Sequence, residues 1–236
     1  MCEGASDAIF LSYYLGKIAG YKYSKKGPKN LNIESDEFEQ SINWYKRDED
    51  FLLICGVGGK DRFKEFFEKK IARPIIDANG FEKIALVLDR DNKEITSIEN
   101  HASSLFYPII LKMRNNAWID NEYINAYGET KTVEALLVTI PFEHQGALET
   151  IMLDAISEDP YDANIVTKSI EFVKSIRGEA AKYIKNDRKE LKARLGVTWA
   201  IQYPEKTFKL INEQIESVEW EKYEVLRECF GKLIVI

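Results

Sequence analysis

Only three cysteines occur in the 236 residues, Cys2, Cys55 and Cys229, and no motif pairs them. That scarcity argues against a disulfide-stapled secreted scaffold and favours reduced thiols in a cytoplasmic protein. No run approaches the roughly 20 apolar residues of a membrane span. The amino terminus lacks the charged-then-apolar layout of a secretory signal. Repeats and low-complexity tracts are missing. So is an overall basic excess: the net charge is −6, which argues against indiscriminate binding of polyanions by the whole surface. What remains is an ordinary globular composition, 45% hydrophobic and 31% charged, in a chain long enough to bury a core without cross-links.

The charge is unevenly placed. Residues 164–210 hold eleven Lys/Arg against five Asp/Glu, a balance of +6 that leaves −12 for the rest. Such a segment suits either a phosphate-facing surface or the solvated faces of helices.

The most informative stretch is Ile84-Ala85-Leu86-Val87-Leu88-Asp89-Arg90-Asp91-Asn92. Five apolar residues in a row read as a strand covered on both faces, which points to a parallel sheet. Strand alternation aims Asp89 and Asp91 the same way, into the crevice where open α/β sheets bind ligands. Two convergent carboxylates repel unless a cation lies between them, and hard oxygen donors favour magnesium, manganese or calcium. A solvated Asp/Asn turn is the competing reading.

Around this strand the pattern alternates. Residues 6–21 carry helical apolar spacing, with Ser6 placed to cap and Glu3 and Gly4 at the preceding turn. A short helix is expected over 35–45, a buried strand over 51–57 and a helix over 61–70. The intervening Gly58-Gly59-Lys60 lacks phosphate-loop spacing and reads as a strand-to-helix turn. A helix over 103–115 and a strand over 133–140 follow, then Gly146 and a helix with Glu149 in its first turn. Beyond Pro160 helices are expected over 163–176, 179–184, 187–201 and 205–215. The apolar end, residues 233–236, is expected to form a strand or dock. The alternation predicts an α/β fold with a mainly parallel sheet flanked by helices, over 1–157, and a helical extension over 158–236.

Three motifs, Glu3-Gly4-x-Ser6-Asp7, Leu-Val-Leu-Asp89-x-Asp91 and Gly146-x-Leu148-Glu149, together resemble the Toprim (Rossmann-like) family. The closest likeness is to the overcoming-lysogenization-defect (OLD) nucleases and related stand-alone Toprim proteins. The resemblance implies a divalent-metal-dependent nuclease acting on DNA or RNA, plausibly in defence against phage, with two Mg²⁺ or Mn²⁺ ions. Glu3, Asp89 and Asp91 would hold one ion, and Asp7 and Glu149 the second. Glu3 is also nominated for proton transfer, and Lys192 for the charge developing on phosphorus. Two such ions can clamp the attacking and leaving oxygens of a phosphodiester.

The chain departs from that pattern at its start, where only Met1 and Cys2 precede Glu3. Either the first strand continues ahead of Met1 or it is vestigial, and a vestigial strand would leave Glu3 loosely held. A tyrosine-bearing cleavage domain, a zinc ribbon and a fused ATPase are also missing, so a topoisomerase or full primase is not expected. A separate ATPase partner and a homo-oligomer stay compatible. Two alternatives accompany the nuclease: a catalytically silent Toprim-like module that binds a protein partner, and a maturation enzyme for structured RNA.

Overall fold

The computed structural model describes residues 1–34, 40–78, 80–206 and 210–235. The chain opens with helix α1 (Ala5–Ala19) and the antiparallel strands β1 (Lys22–Ser24), β2 (Ser41–Arg47) and β3 (Asp50–Gly56). A 3-10 turn (Lys60–Arg62), helix α2 (Phe63–Phe66), a π segment (Phe67–Ala72) and helix α3 (Arg73–Ala78) cross to strand β4 (Lys83–Asp89). Helix α4 (Ile95–Leu105) leads to β5 (Ile119–Ile124) and β6 (Thr130–Ile140), and β6 lies between β4 and β5. Helices α5 (Leu148–Ile156), α6 (Pro160–Ile176), α7 (Asp187–Gln202), α8 (Ile211–Glu216) and α9 (Glu224–Phe230) complete the chain.

The fold is α/β, but its two three-stranded sheets are not mainly parallel: the first is antiparallel throughout and the second is mixed. β4 and β6 run parallel, whereas β1·β2, β2·β3 and β5·β6 are antiparallel. The physical reason is that hairpin-length connections join β2 to β3 and β5 to β6, and such short links permit only antiparallel pairing. Residues 41–45 are strand rather than helix, and residues 35–39 of that expectation lie outside the described residues. The helix expected over 103–115 comes earlier, because the Pro108 ring cannot continue it. Residues 179–183 form turns instead of a helix. At the end, Gly231–Val235 is a 3-10 segment with Leu233 buried.

Met1 and Cys2 join the two sheets. Cys2 N donates to Cys55 O at 2.8 Å and Val57 N donates to Cys2 O at 3.0 Å. On the other side the Met1 ammonium donates to Ala85 O at 2.8 Å, and Val87 N donates to Met1 O at 2.9 Å. Two residues thus stand as a minimal strand between β3 and β4, and they carry the chain straight into Glu3.

Alternation along the strands divides the core between two faces. Val87, Leu136 and Val138 pack with α1, α5 and the later helices, around Phe10, Trp199, Trp220 and Phe230. Leu86, Leu88 and Leu137 pack on the opposite face with Phe63, Phe67 and Phe106. This is a sheet layer covered by helices on both sides. Among the described residues no helix is long and apolar enough to cross a membrane.

Candidate functional site

The carboxyl ends of β3 and β4 and the amino ends of α1, α5 and α7 meet at one place. Glu3 reaches it directly from the Met1–Cys2 link. Its carbonyl accepts from Gly58 N and Gly59 N, at 3.0 and 2.8 Å, and its Oε1 accepts from Asp89 N at 3.0 Å. Only 3% of Glu3 is exposed, and these hydrogen bonds hold it in place. Gly56 is required here, since a Cβ on it would lie 2.6 Å from Gly4 O.

Asp89, at the end of β4, accepts from Leu148 N through Oδ1 at 3.1 Å, which ties it to the first turn of α5. Its other oxygen lies 2.9 Å from Arg188 Nη2, and the same nitrogen stands 3.3 Å from Glu3 Oε2. Asp7 is buried in the first turn of α1 and accepts from Gly4 N at 2.8 Å. Glu149, also buried, pairs with Lys192.

Asp91 lies on the other flank. β4 ends at Asp89, and Asp91 adopts a left-handed backbone with φ of 51°, so the alternation expected to aim the two aspartates alike stops short. Its backbone pairs with Gly146, N to O at 2.6 Å and O to N at 2.9 Å. Its carboxylate pairs with Lys60, whose ammonium also lies 3.3 Å from Glu3 Oε1 and donates to Asp89 O at 3.3 Å. Glu3 is therefore the centre: Arg188 links it to Asp89, and Lys60 links it to Asp91.

Electrostatics bind the group together. Burial, then the charges of Glu3 and Asp7, push the Asp89 carboxyl up to about 8, with Arg188 opposing. Burial raises Asp7 to about 6, against its hydrogen bond from Gly4 and with Glu3 and Glu149 adding to the rise. For Arg188, burial acts downward and the four carboxylates of Asp89, Glu3, Glu149 and Asp7 overturn it. For both acids burial is the first cause, and the neighbouring carboxylates add to it.

Lys60 and Arg188 lie outside the three acidic motifs. Lys60 directly follows the Gly58-Gly59 turn at the end of a buried strand. Arg188 precedes Lys192 by four residues and so shares its face of α7. On the adjoining face of α7, buried Glu190 pairs with Arg194 and with Arg177 from the end of α6. Those pairs fix the rotation that presents Arg188 and Lys192 to the site.

The donor chemistry suits a hard cation, being all carboxylate oxygen. Among the described residues, however, no group of three or more His, Cys, Asp or Glu side chains is gathered tightly enough to hold an ion. Glu3, Asp89, Asp91 and Glu149 each face a side-chain cation instead.

A family model described as "Protein of unknown function (DUF3226)" matches residues 1–225. No curated protein and no solved structure matches the chain.

Proposed function

Starting from the premise that the chain belongs to the DUF3226 family, we propose that it is a Toprim-type nuclease, hydrolysing phosphodiester bonds of DNA or RNA with the aid of Mg²⁺ or Mn²⁺. One observation carries the reading. Glu3, Asp7, Asp89 and Glu149 come to one place from three distant parts of the polypeptide: Arg188 lies against both Glu3 and Asp89, Asp7 accepts from Gly4 directly after Glu3, and Asp89 accepts from Leu148, the neighbour of Glu149. The Met1–Cys2 link between β3 and β4 supports the Toprim comparison, since it places Glu3 beside Asp89 at the strand ends.

Glu3, Asp89 and Asp91 would hold one ion, and Asp7 and Glu149 a second. When bound, such ions lower the pKa of a coordinated water and offset charge on the phosphate. The remaining work belongs to the chain. Glu3, fixed by Asp89 N, accepts the proton of the attacking water. Arg188 and Lys60 change partners, from carboxylates to the non-bridging phosphate oxygens, for which a guanidinium fork and an ammonium are suited. Lys192, one helical turn further along α7 and paired with Glu149 in the free protein, would leave that carboxylate to face the charge developing on phosphorus. Fold alone does not determine activity, so the test is chemical. Purified protein incubated with plasmid, single-stranded DNA and RNA should cut at least one of them in Mn²⁺. Asp89→Asn should cut at least 100-fold more slowly, and undiminished cutting by that variant removes Asp89 from the site.

A second reading has its own support. The carboxylates already face Arg188, Lys60 and Lys192, and a site so neutralised suits a silent module that binds a protein partner. Calorimetry with Mn²⁺ separates the two, because the silent module takes up no ion.

A further inference from the structure

Helix α7 reaches beyond the acidic site. At about 100° per residue, Lys192 stands close to Arg188 around the helix, and Lys189 follows on the flank beyond it. Arg188 and Lys192 turn into the site, where they meet Glu3, Asp89 and Glu149. Lys189 is exposed, and so is Lys185, directly ahead of the N-cap Asn186. Among the described residues neither of these two lysines forms an ion pair. The acids of the same turn do not offset them, because Asp187 and Glu190 both pair with Arg177, and Glu190 pairs with Arg194 as well. The flank also stays open further along. A Cβ on Gly196 would meet nothing within 4 Å, and Ala200 is exposed.

We infer that Lys185 and Lys189 hold the phosphates next to the one being cut, so that the nucleic-acid strand leaves the acidic site along this flank of α7. The inference rests on the nuclease reading and gives that site its substrate track. An acidic cluster repels a polyanion until cations sit in it, so the attraction has to come from charges alongside. Lysines that no carboxylate neutralises supply it, and each one that meets a phosphate releases condensed counterions. A compact ammonium on a flexible stem suits contacts that position a backbone without reading its sequence. Arg188 stands at the junction, between the carboxylates it pairs with and the lysine flank. The other way out, towards α4, is mixed in charge, since Lys93 shares that cleft with Asp61 and Asp89.

Fluorescence anisotropy in Ca²⁺ tests the track, with a labelled twenty-residue oligothymidylate and a twenty-base-pair duplex as probes, between about 50 and 200 mM salt. In the variant carrying both Lys185→Gln and Lys189→Gln, affinity for the probe that binds should fall at least tenfold at the lower salt. The slope of log affinity against log salt should flatten by about 1.4 for the single strand or about 1.8 for the duplex. Lys93→Gln should leave that slope unchanged. Both α7 lysines are exposed, so the double variant should melt with the wild type. If it melts early, Lys185→Gln alone, which lies outside the helix, carries the test with half the change in slope. An unchanged slope in the lysine variants, or an equal loss from Lys93→Gln, overturns the track. So does displacement of the probe by polyglutamate as effective, at equal charge, as displacement by unlabelled strand. Mn²⁺ calorimetry on the wild-type chain reads the metal site separately. Normal Mn²⁺ uptake with unaffected variants sinks this inference alone, whereas no Mn²⁺ uptake with the lysine dependence intact sinks the nuclease reading and leaves α7 as a strand-binding surface.

Discussion

One guanidinium nitrogen of Arg188 stands 2.9 Å from Asp89 Oδ2 and 3.3 Å from Glu3 Oε2. It binds two motifs to a helix residue 99 positions beyond Asp89 and 185 beyond Glu3. Removing one partner of a fully buried ion pair costs about 3–5 kcal/mol. Arg188 is 46% exposed, so solvent screening reduces the figure. Arg188→Met should lower stability by about 1–2 kcal/mol, read by urea denaturation in EDTA. Under the nuclease reading the same variant should gain more in melting temperature from Mn²⁺ than the wild type does, because an internal competitor for the carboxylates is gone.

Trp220 ties the later helices to α1. It is fully buried, its ring lies 5.6 Å from that of Phe10 in a T-shaped contact, and its Nε1 donates to Ile215 O at 2.8 Å. Trp220→Ala should cost about 3–5 kcal/mol and shift a single cooperative transition. Two separated transitions in circular dichroism would instead mean that residues 158–236 melt on their own.

Gly146 and Gly196 should respond in opposite ways to alanine. Gly146 has φ of 152°, and a Cβ there would lie 2.5 Å from Thr150 Oγ1. Gly146→Ala should cost about 1–3 kcal/mol and loosen the backbone pairing that holds Asp91. Gly196 is exposed within α7, where an added Cβ meets nothing. Gly196→Ala should stabilise by about 0.5–1 kcal/mol. Paired urea melts check both.

Burial pushes the thiols of Cys55 and Cys229 up to about 12. The unfolded chain releases these protons first, near their ordinary value of about 9. The folded state therefore holds more protons between about 9 and 12, and stability falls as pH rises through that window. At pH 8 neither thiol should react with iodoacetamide until the protein is unfolded, as mass spectrometry of the alkylated chain would show. Rapid modification of the folded protein would contradict the burial.

How much could be read in advance follows from where the information lies. β3, β4 and β6 stand out in the sequence because strands covered on both faces are nearly continuous apolar runs. β5 alternates exposed Asp120 and Glu122 with buried Asn121 and Tyr123. A polar strand so short gives little to separate it from a loop. β2 is half-buried along most of its length, which leaves no clean period of either kind. The acidic side chains were visible because they recur in motifs. Lys60 and Arg188 were harder to see, since a lysine or arginine in a sequence says nothing of which distant carboxylate it meets. The strand directions of the two sheets have a similar origin: direction depends on connection length and pairing partner, and neither is written in a strand's own residues.

The placement of Met1 and Cys2 between β3 and β4 has a consequence for assembly. Met1 and Cys2 cannot settle until the stretch reaching Val87 has also been made, because their hydrogen-bonding partners include Cys55, Ala85 and Val87. This two-residue link must wait, unpaired, for β4 to arrive, and it closes two long loops at once. The acidic cluster is thus completed in the same event that makes one body of the two sheets.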